Sequence, residues 1–189
     1  MISLDKLTTK TQTVLQTAHQ QAYQKHHAQC LNLHLLAALI DTPETAVQPL
    51  LKKQSISIST ALNQIQHHLD KLPHIQHPNQ PALSDEVGLT FKKAQKEADL
   101  MEDAFISCEH LFIALSKDKG IIGKLFKDWS LQTDTLYTDL KSIRGHARVD
   151  SPDPEGQYDV LNKYTIDLIQ QAQKGKLDPV IGQIGRAHV

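Results

Sequence analysis

Only two cysteines, Cys30 and Cys108, occur among the 189 residues, too few and too far apart to staple a small secreted fold. They read as reduced, partly buried thiols. No apolar run approaches the roughly 18 residues that span a bilayer. The opening stretch MISLDKLTTKTQ meets Asp5 early and has no apolar core ahead of a small-residue cleavage site, so it does not read as a signal peptide. Charge of one sign is also missing, with 20 Lys plus Arg against 21 Asp plus Glu. A nucleic-acid binder normally carries a basic face or stripe, and none is visible. No Gly-x-x-x-x-Gly-Lys-Ser/Thr stretch is present, so nucleotide phosphates have no backbone cradle and no lysine to meet them. No acid–base or nucleophile pair stands out either.

What is there is helical periodicity. Leu7, Val14, Leu15, Ala18 and Ala22 fall on one face, with Gln, Lys and Thr between them. Asn32 is expected to N-cap a compact helix carrying Leu35, Leu36 and Leu39, which Pro43 helps to close. A short helix is expected near Thr45 to Lys53, then an amphipathic one near Ser59 to Lys71 with Leu62, Ile65 and Leu69 inward. Pro73, Pro78 and Pro81 break the chain into a connection.

The pattern then starts again. A shift of 76 positions pairs Leu7 with Leu83, Thr8 with Ser84, Ala18 with Ala94 and Ala22 with Ala98. The same shift pairs His34 with His110, Leu35 with Leu111, Ala38 with Ala114 and Leu39 with Leu115. Past this point the offset drifts by a residue or two, so that Leu50 and Leu51 face Leu125 and Phe126, and Leu62 faces Leu136. The expected fold is therefore all-α: two four-helix repeats, about 4–72 and 83–145, packed with pseudo-twofold symmetry as one domain over 1–146. Neither half has enough helices to bury its apolar stripes alone.

Residues 147–158, which include Asp150-Ser151-Pro152-Asp153-Pro154-Glu155-Gly156, read as a flexible acidic linker. One further helix is expected over Val160 to Lys174, with Leu161, Tyr164, Leu168 and Ala172 on one side and Gly175 as its stop.

The start Leu4-Asp5-Lys6-Leu7-Thr8, the duplicated helical unit, and Lys163-Tyr164-Thr165-Ile166-Asp167-Leu168 followed by Gly175-Lys176-Leu177-Asp178-Pro179-Val180-Ile181-Gly182 resemble ClpB-type protein disaggregases. The resemblance covers residues 1–183. It implies an amino-terminal Clp repeat domain followed, over 159–183, by the start of a first AAA+ ATPase module. It also implies a parent chaperone that disaggregates and remodels misfolded proteins under stress, binds ATP and magnesium, forms a homohexamer with a coiled-coil insertion, works with a DnaK-type system and resides in the cytoplasm. This chain alone would be a monomer with no cofactor, no metal, no nucleic-acid partner, no membrane and no ATPase activity. Two alternatives stand beside this reading: the matching domain of a Clp protease unfoldase that binds adaptor proteins, and a free-standing helical adaptor. The last six residues, Ile184 to Val189, depart from the family pattern. They match the translation of the sequencing-adapter string ATC GGA AGA GCA CAC GTC and are expected to be non-native.

Thr8 and Ser84 hold equivalent positions, each leading a helix, where a hydroxyl serves as an N-cap. The resemblance adds a second role, since hydroxyls at these positions border the family's substrate surface. Asp103 and Glu109 match family acids implicated in substrate handling; taken by themselves they are a loop acid and an acid near a helix N-terminus. The expected docking groove has walls from Leu7, Leu83 and Phe105 and polar rims from Thr8, Ser84, Asp103 and Glu109. His26, Cys30 and His34 stand four residues apart but straddle a loop, which argues against a metal site. His34 and His110 are read as packing or capping residues near helix starts.

Overall fold

The computed structural model describes residues 3–76, 80–145 and 147–154. A 3₁₀ turn at Leu4–Lys6 leads into α1 (Thr9–Gln24), β1 (Gln29–Cys30), α2 (Asn32–Asp41), α3 (Val47–Lys53) and α4 (Ile58–Leu69). The second half runs through β2 (Ala82–Leu83), α5 (Asp85–Leu100), α6 (Cys108–Ser116), α7 (Ile121–Asp128) and α8 (Thr133–Arg144). The all-α expectation holds. The helix expected over 160–174 lies outside the described residues, as does the stretch 184–189.

The duplication is written into the backbone. After α1 and after α5 the chain turns through a left-handed residue, His26 at φ 56° and Glu102 at φ 57°. In each case the next amide reaches back to the helix: His27 N–H to Ala22 O at 2.9 Å, and Asp103 N–H to Ala98 O at 2.9 Å. After α3 and α7 the same closure recurs at Ser55 and Ser130, with Ile56 N–H on Leu51 O and Leu131 N–H on Phe126 O. These are glycine-type helix ends made without glycine.

The halves interlock rather than abut. Leu7 pairs with Ile106 in a parallel bridge, and β2 pairs in parallel with β1 so that Leu83 faces Cys30. Adding 76 to Leu7 gives Leu83 and subtracting 76 from Ile106 gives Cys30, so the repeat symmetry exchanges the two pairs. Thr8 N–H donates to Ile106 O at 3.0 Å, and Ser84 N–H donates to Cys30 O at 3.1 Å. Each repeat thus lends the start of its first helix to the other repeat.

At the centre lie α2 and α6, buried on every side from Asn32 to Ile40 and from Cys108 to Leu115. Helices this apolar all round need partners all round. Within a repeat α2 packs on α1 and α4; across the symmetry axis it meets α5 and α6. One cluster, with Phe112, Phe126, Leu35, Leu39 and Ile65 fully enclosed, joins the two repeats. Gly123 marks the tightest approach, since a Cβ there would stand 2.0 Å from the Asp118 carbonyl oxygen.

Two local expectations are corrected. Asn32 is the first residue inside α2, not its cap; Leu31 holds the cap position, and the imidazole of His34 accepts its N–H. In α4 the fully buried inward residues are Ala61, Ile65 and Leu69, with Leu62 only partly covered. Ala61 shares the buried stripe with Ile65 and Leu69, and Leu62 is turned one residue off it.

Candidate functional site

Thr8 caps α1, its hydroxyl accepting the Thr11 N–H at 3.2 Å, and Ser84 caps α5 by accepting the Val87 N–H at 3.4 Å. The N-cap reading of both residues therefore matches the geometry. Both side chains are buried, however, so neither presents its hydroxyl on an open rim.

The start of α6 carries more chemistry. His110 Nδ1 accepts the Ser107 N–H at 3.0 Å and lies 2.9 Å from the Ser107 hydroxyl. That leaves the ring proton on Nε2, which donates to Asp103 at 2.9 Å. The order serine, histidine, aspartate invites a catalytic reading, but the Ser107 hydroxyl is fully enclosed and donates to the nitrogen that already accepts its own backbone N–H. It is a helix cap.

Asp103 is the hub. Its other oxygen accepts from Arg144 at 2.7 Å and from the Val149 N–H at 2.8 Å. Burial by itself would raise its pKa, but the hydrogen bonds from His110, Arg144 and the Val149 amide together hold it well below the usual carboxylate range. Glu109 lies nearby, fully buried, with one oxygen 3.9 Å from Arg144. Among the described residues neither of its oxygens accepts a hydrogen bond.

The symmetry-related position in repeat 1 holds different chemistry. His34 Nδ1 accepts the Leu31 N–H at 3.0 Å, and its Nε2 meets His27 Nδ1 at 2.8 Å. Thus His27 replaces Asp103, Leu33 replaces Glu109, and an uncharged pair of rings stands where repeat 2 has an acid–arginine cluster. Burial and the neighbouring His27 push the His34 pKa down to about 4. His27 is also lowered, by burial and then by His74. Burial pushes the Cys30 thiol up to about 12, which leaves it unreactive.

Residues 147–154, expected as the first part of a free linker, lie against this cluster. The Val149 carbonyl accepts from the Ala104 N–H at 3.0 Å and the Phe105 N–H at 3.2 Å. The Pro152 carbonyl accepts the first N–H of α1, from Thr9, at 2.7 Å. Val149 and Pro154 are buried, while Arg148, Asp150, Pro152 and Asp153 face solvent. The physical reason is local: Val149 buries its branched side chain while its carbonyl and that of Pro152 pair the loop amides of Ala104 and Phe105 and the first amide of α1.

The seven residues expected to line one groove divide between the two ladders. Leu7, Thr8, Asp103, Phe105 and Glu109 gather at the α1/α6 starts, whereas Leu83 and Ser84 belong to the other ladder at α2 and α5. Leu7 is core, Phe105 is half-buried and Leu83 is 42% exposed, so only the last two offer surface. Sequence reasoning missed Arg144 and Val149. Neither sits in a motif, and both act through partners more than 40 positions away. No group of three or more metal-ligating side chains comes together among the described residues. Nor is any described helix long and apolar enough to cross a membrane.

Two interlocked four-helix repeats, each giving its first helix start to the other, define a Clp repeat domain. The family model for the Clp repeat N-terminal domain matches residues 6–129, and the chain belongs to that family. It is 34% identical over 180 residues to the chaperone protein ClpB of Rhodopirellula baltica, which covers 95% of this chain and 20% of that protein. The ClpB of Mycobacterium bovis is 36% identical over 177 residues, covering 93% of this chain and 21% of the relative. The chain thus spans about a fifth of the length of these relatives. Among solved structures, the Hsp104 N-terminal domain from Candida albicans superimposes with a TM-score of 0.70 at 27% identity, covering 79% of this chain and 99% of that one. The chain is an amino-terminal domain of the ClpB/Hsp104 kind.

Proposed function

We propose that this domain captures exposed, extended segments of unfolded or aggregated proteins for an ATP-driven disaggregase. ATP, magnesium, a homohexameric ring, a DnaK-type partner system and a cytoplasmic setting would belong to the rest of that protein. The observation that carries the reading is the α1/α6 edge, where backbone amides of Thr9, Ala104 and Phe105 hold a passing chain by the carbonyls of Val149 and Pro152. Recognition through main chain with few apolar anchors tolerates many sequences, as a binder of misfolded clients requires. Half-buried Phe105 flanks the anchor and supplies the apolar wall.

A permanently unfolded, fluorescently labelled protein titrated with the chain tests this by anisotropy. Weak saturable binding is expected, weakened roughly tenfold by Phe105→Ser, as an aromatic at a binding surface implies. Circular dichroism of the variant should remain that of the parent. Undiminished binding by a folded Phe105→Ser chain would remove the α1/α6 edge from the account.

A further inference from the structure

We propose that residues 147–154 are an internal competitor for the docking edge, so that a client binds by displacing Val149 from its own domain. This rests on the reading above and adds to it a mechanism and a ligand class. The segment is bound as a short peptide would be, through its main chain, with a bend at Ser151 and Pro152. Val149 is fully buried, both its main-chain polar groups are paired, and its carbonyl is shared by the Ala104 and Phe105 amides. Three residues on, the Pro152 carbonyl closes the contact on the start of α1.

The hold is short, and its other side chains are mostly solvent-facing. The Arg148–Glu102 ion pair beside it is exposed and adds little. A contact of two small buried anchors, Val149 and Pro154, and a few edge hydrogen bonds opens locally far more often than the domain unfolds. The vacated place suits an extended segment with a branched aliphatic residue, valine or isoleucine, whose N–H meets Asp103 and whose carbonyl meets the Ala104 and Phe105 amides. Occupation in cis lowers apparent affinity by the fraction of time the edge is free. That keeps the site shut to dilute peptide and opens it to ligands of high local concentration, such as an aggregate surface.

Two ligands and two measurements on the 189-residue chain decide the matter. The ligands are a labelled, permanently unfolded protein and a synthetic peptide of residues 147–154. Val149→Asp places a charge in the anchor position and should expel the segment. The variant is expected to bind both ligands roughly threefold or more tighter than the parent. In the parent, saturating unfolded protein should strip hydrogen-exchange protection from the Val149 amide while Ala104 and Phe105 stay protected. That second measurement needs no variant, so it holds even where Val149→Asp fails to fold. If the unfolded protein binds neither form while the peptide binds the variant more tightly, the client reading falls and the competitor stands. Equal peptide affinity for both folded forms, or a Val149 amide still protected at saturation, overturns the competitor.

Discussion

At one place in each repeat the same backbone carries different side chains, and the differences locate the chemistry. His27 and Asp103 follow equivalent left-handed turns, and each meets the histidine that caps the following helix. Repeat 1 fills the spot with two rings that must stay uncharged. His34 has its pKa lowered from 6.5 to about 4, so between those values the unfolded chain takes up a proton that the folded chain refuses. Stability is therefore full above pH 6.5 and falls as pH drops toward 4, by up to about 3 kcal/mol from this residue. His27, also lowered, acts with the same sign. Asp103, lowered from 3.8, adds a further loss only below that pH. Urea titrations between pH 7 and 4 should show this slope, and His34→Gln, which can still accept the Leu31 N–H, should flatten it. Glu109 makes the opposite case: a buried carboxylate that, among the described residues, accepts no hydrogen bond and stands 3.9 Å from Arg144, where repeat 1 has Leu33. Glu109→Leu installs the residue type that repeat 1 carries there and leaves Arg144 paired with Asp103. It should raise stability by about 1 kcal/mol or more, because no buried polar atom is then left without a partner at that position. A thermal melt checks this. Higher stability with weaker client binding would mark Glu109 as kept for function.

The helices were legible from their apolar spacing, and the repeat from its constant shift, because both leave periodic traces. Caps on serine and threonine were legible too, as at Thr8 and Ser84. The cap of α2 was not: in place of an Asn32 side chain accepting a first-turn amide, a histidine three residues into the helix accepts the Leu31 N–H, and histidine carries no cap signature. The Asp103–Arg144 pair, 41 positions apart, leaves no local sign, nor does the return of Val149 to the same carboxylate. The helix ends offer a cleaner test of the element-level account. Ser130 adopts φ 56° after α7, exposed and with its amide on Lys127 O. Ser130→Gly should stabilise the domain by about 0.5–1 kcal/mol, since glycine enters that region without a Cβ penalty. Gly123→Ala should do the reverse, by about 1–3 kcal/mol, because helix α7 cannot approach Asp118 without displacing the chain. Denaturant midpoints measured side by side would check both.

As a whole, the molecule pairs a symmetric scaffold with an asymmetric edge. Crossed ladders and one shared core bind the repeats together, so residues 3–154 should unfold as a single cooperative unit rather than repeat by repeat. Among the described residues the α1/α6 side adds a buried charged cluster, Asp103 with Arg144, and the docked segment 147–154; the related side at α2 and α5 has neutral rings, an exposed Leu83 and its own returning chain, with Ile75 N–H on His26 O. The proposed client capture thus falls on one side of a nearly twofold object. Amide chemical-shift mapping during titration with a permanently unfolded protein tests that assignment most directly. Shifts concentrated at Thr9, Ala104, Phe105 and Ile106, with Asp85, Ala28 and Gln29 unmoved, are the predicted result. Equal shifts on both sides, or shifts confined to the Leu83 side, would contradict it.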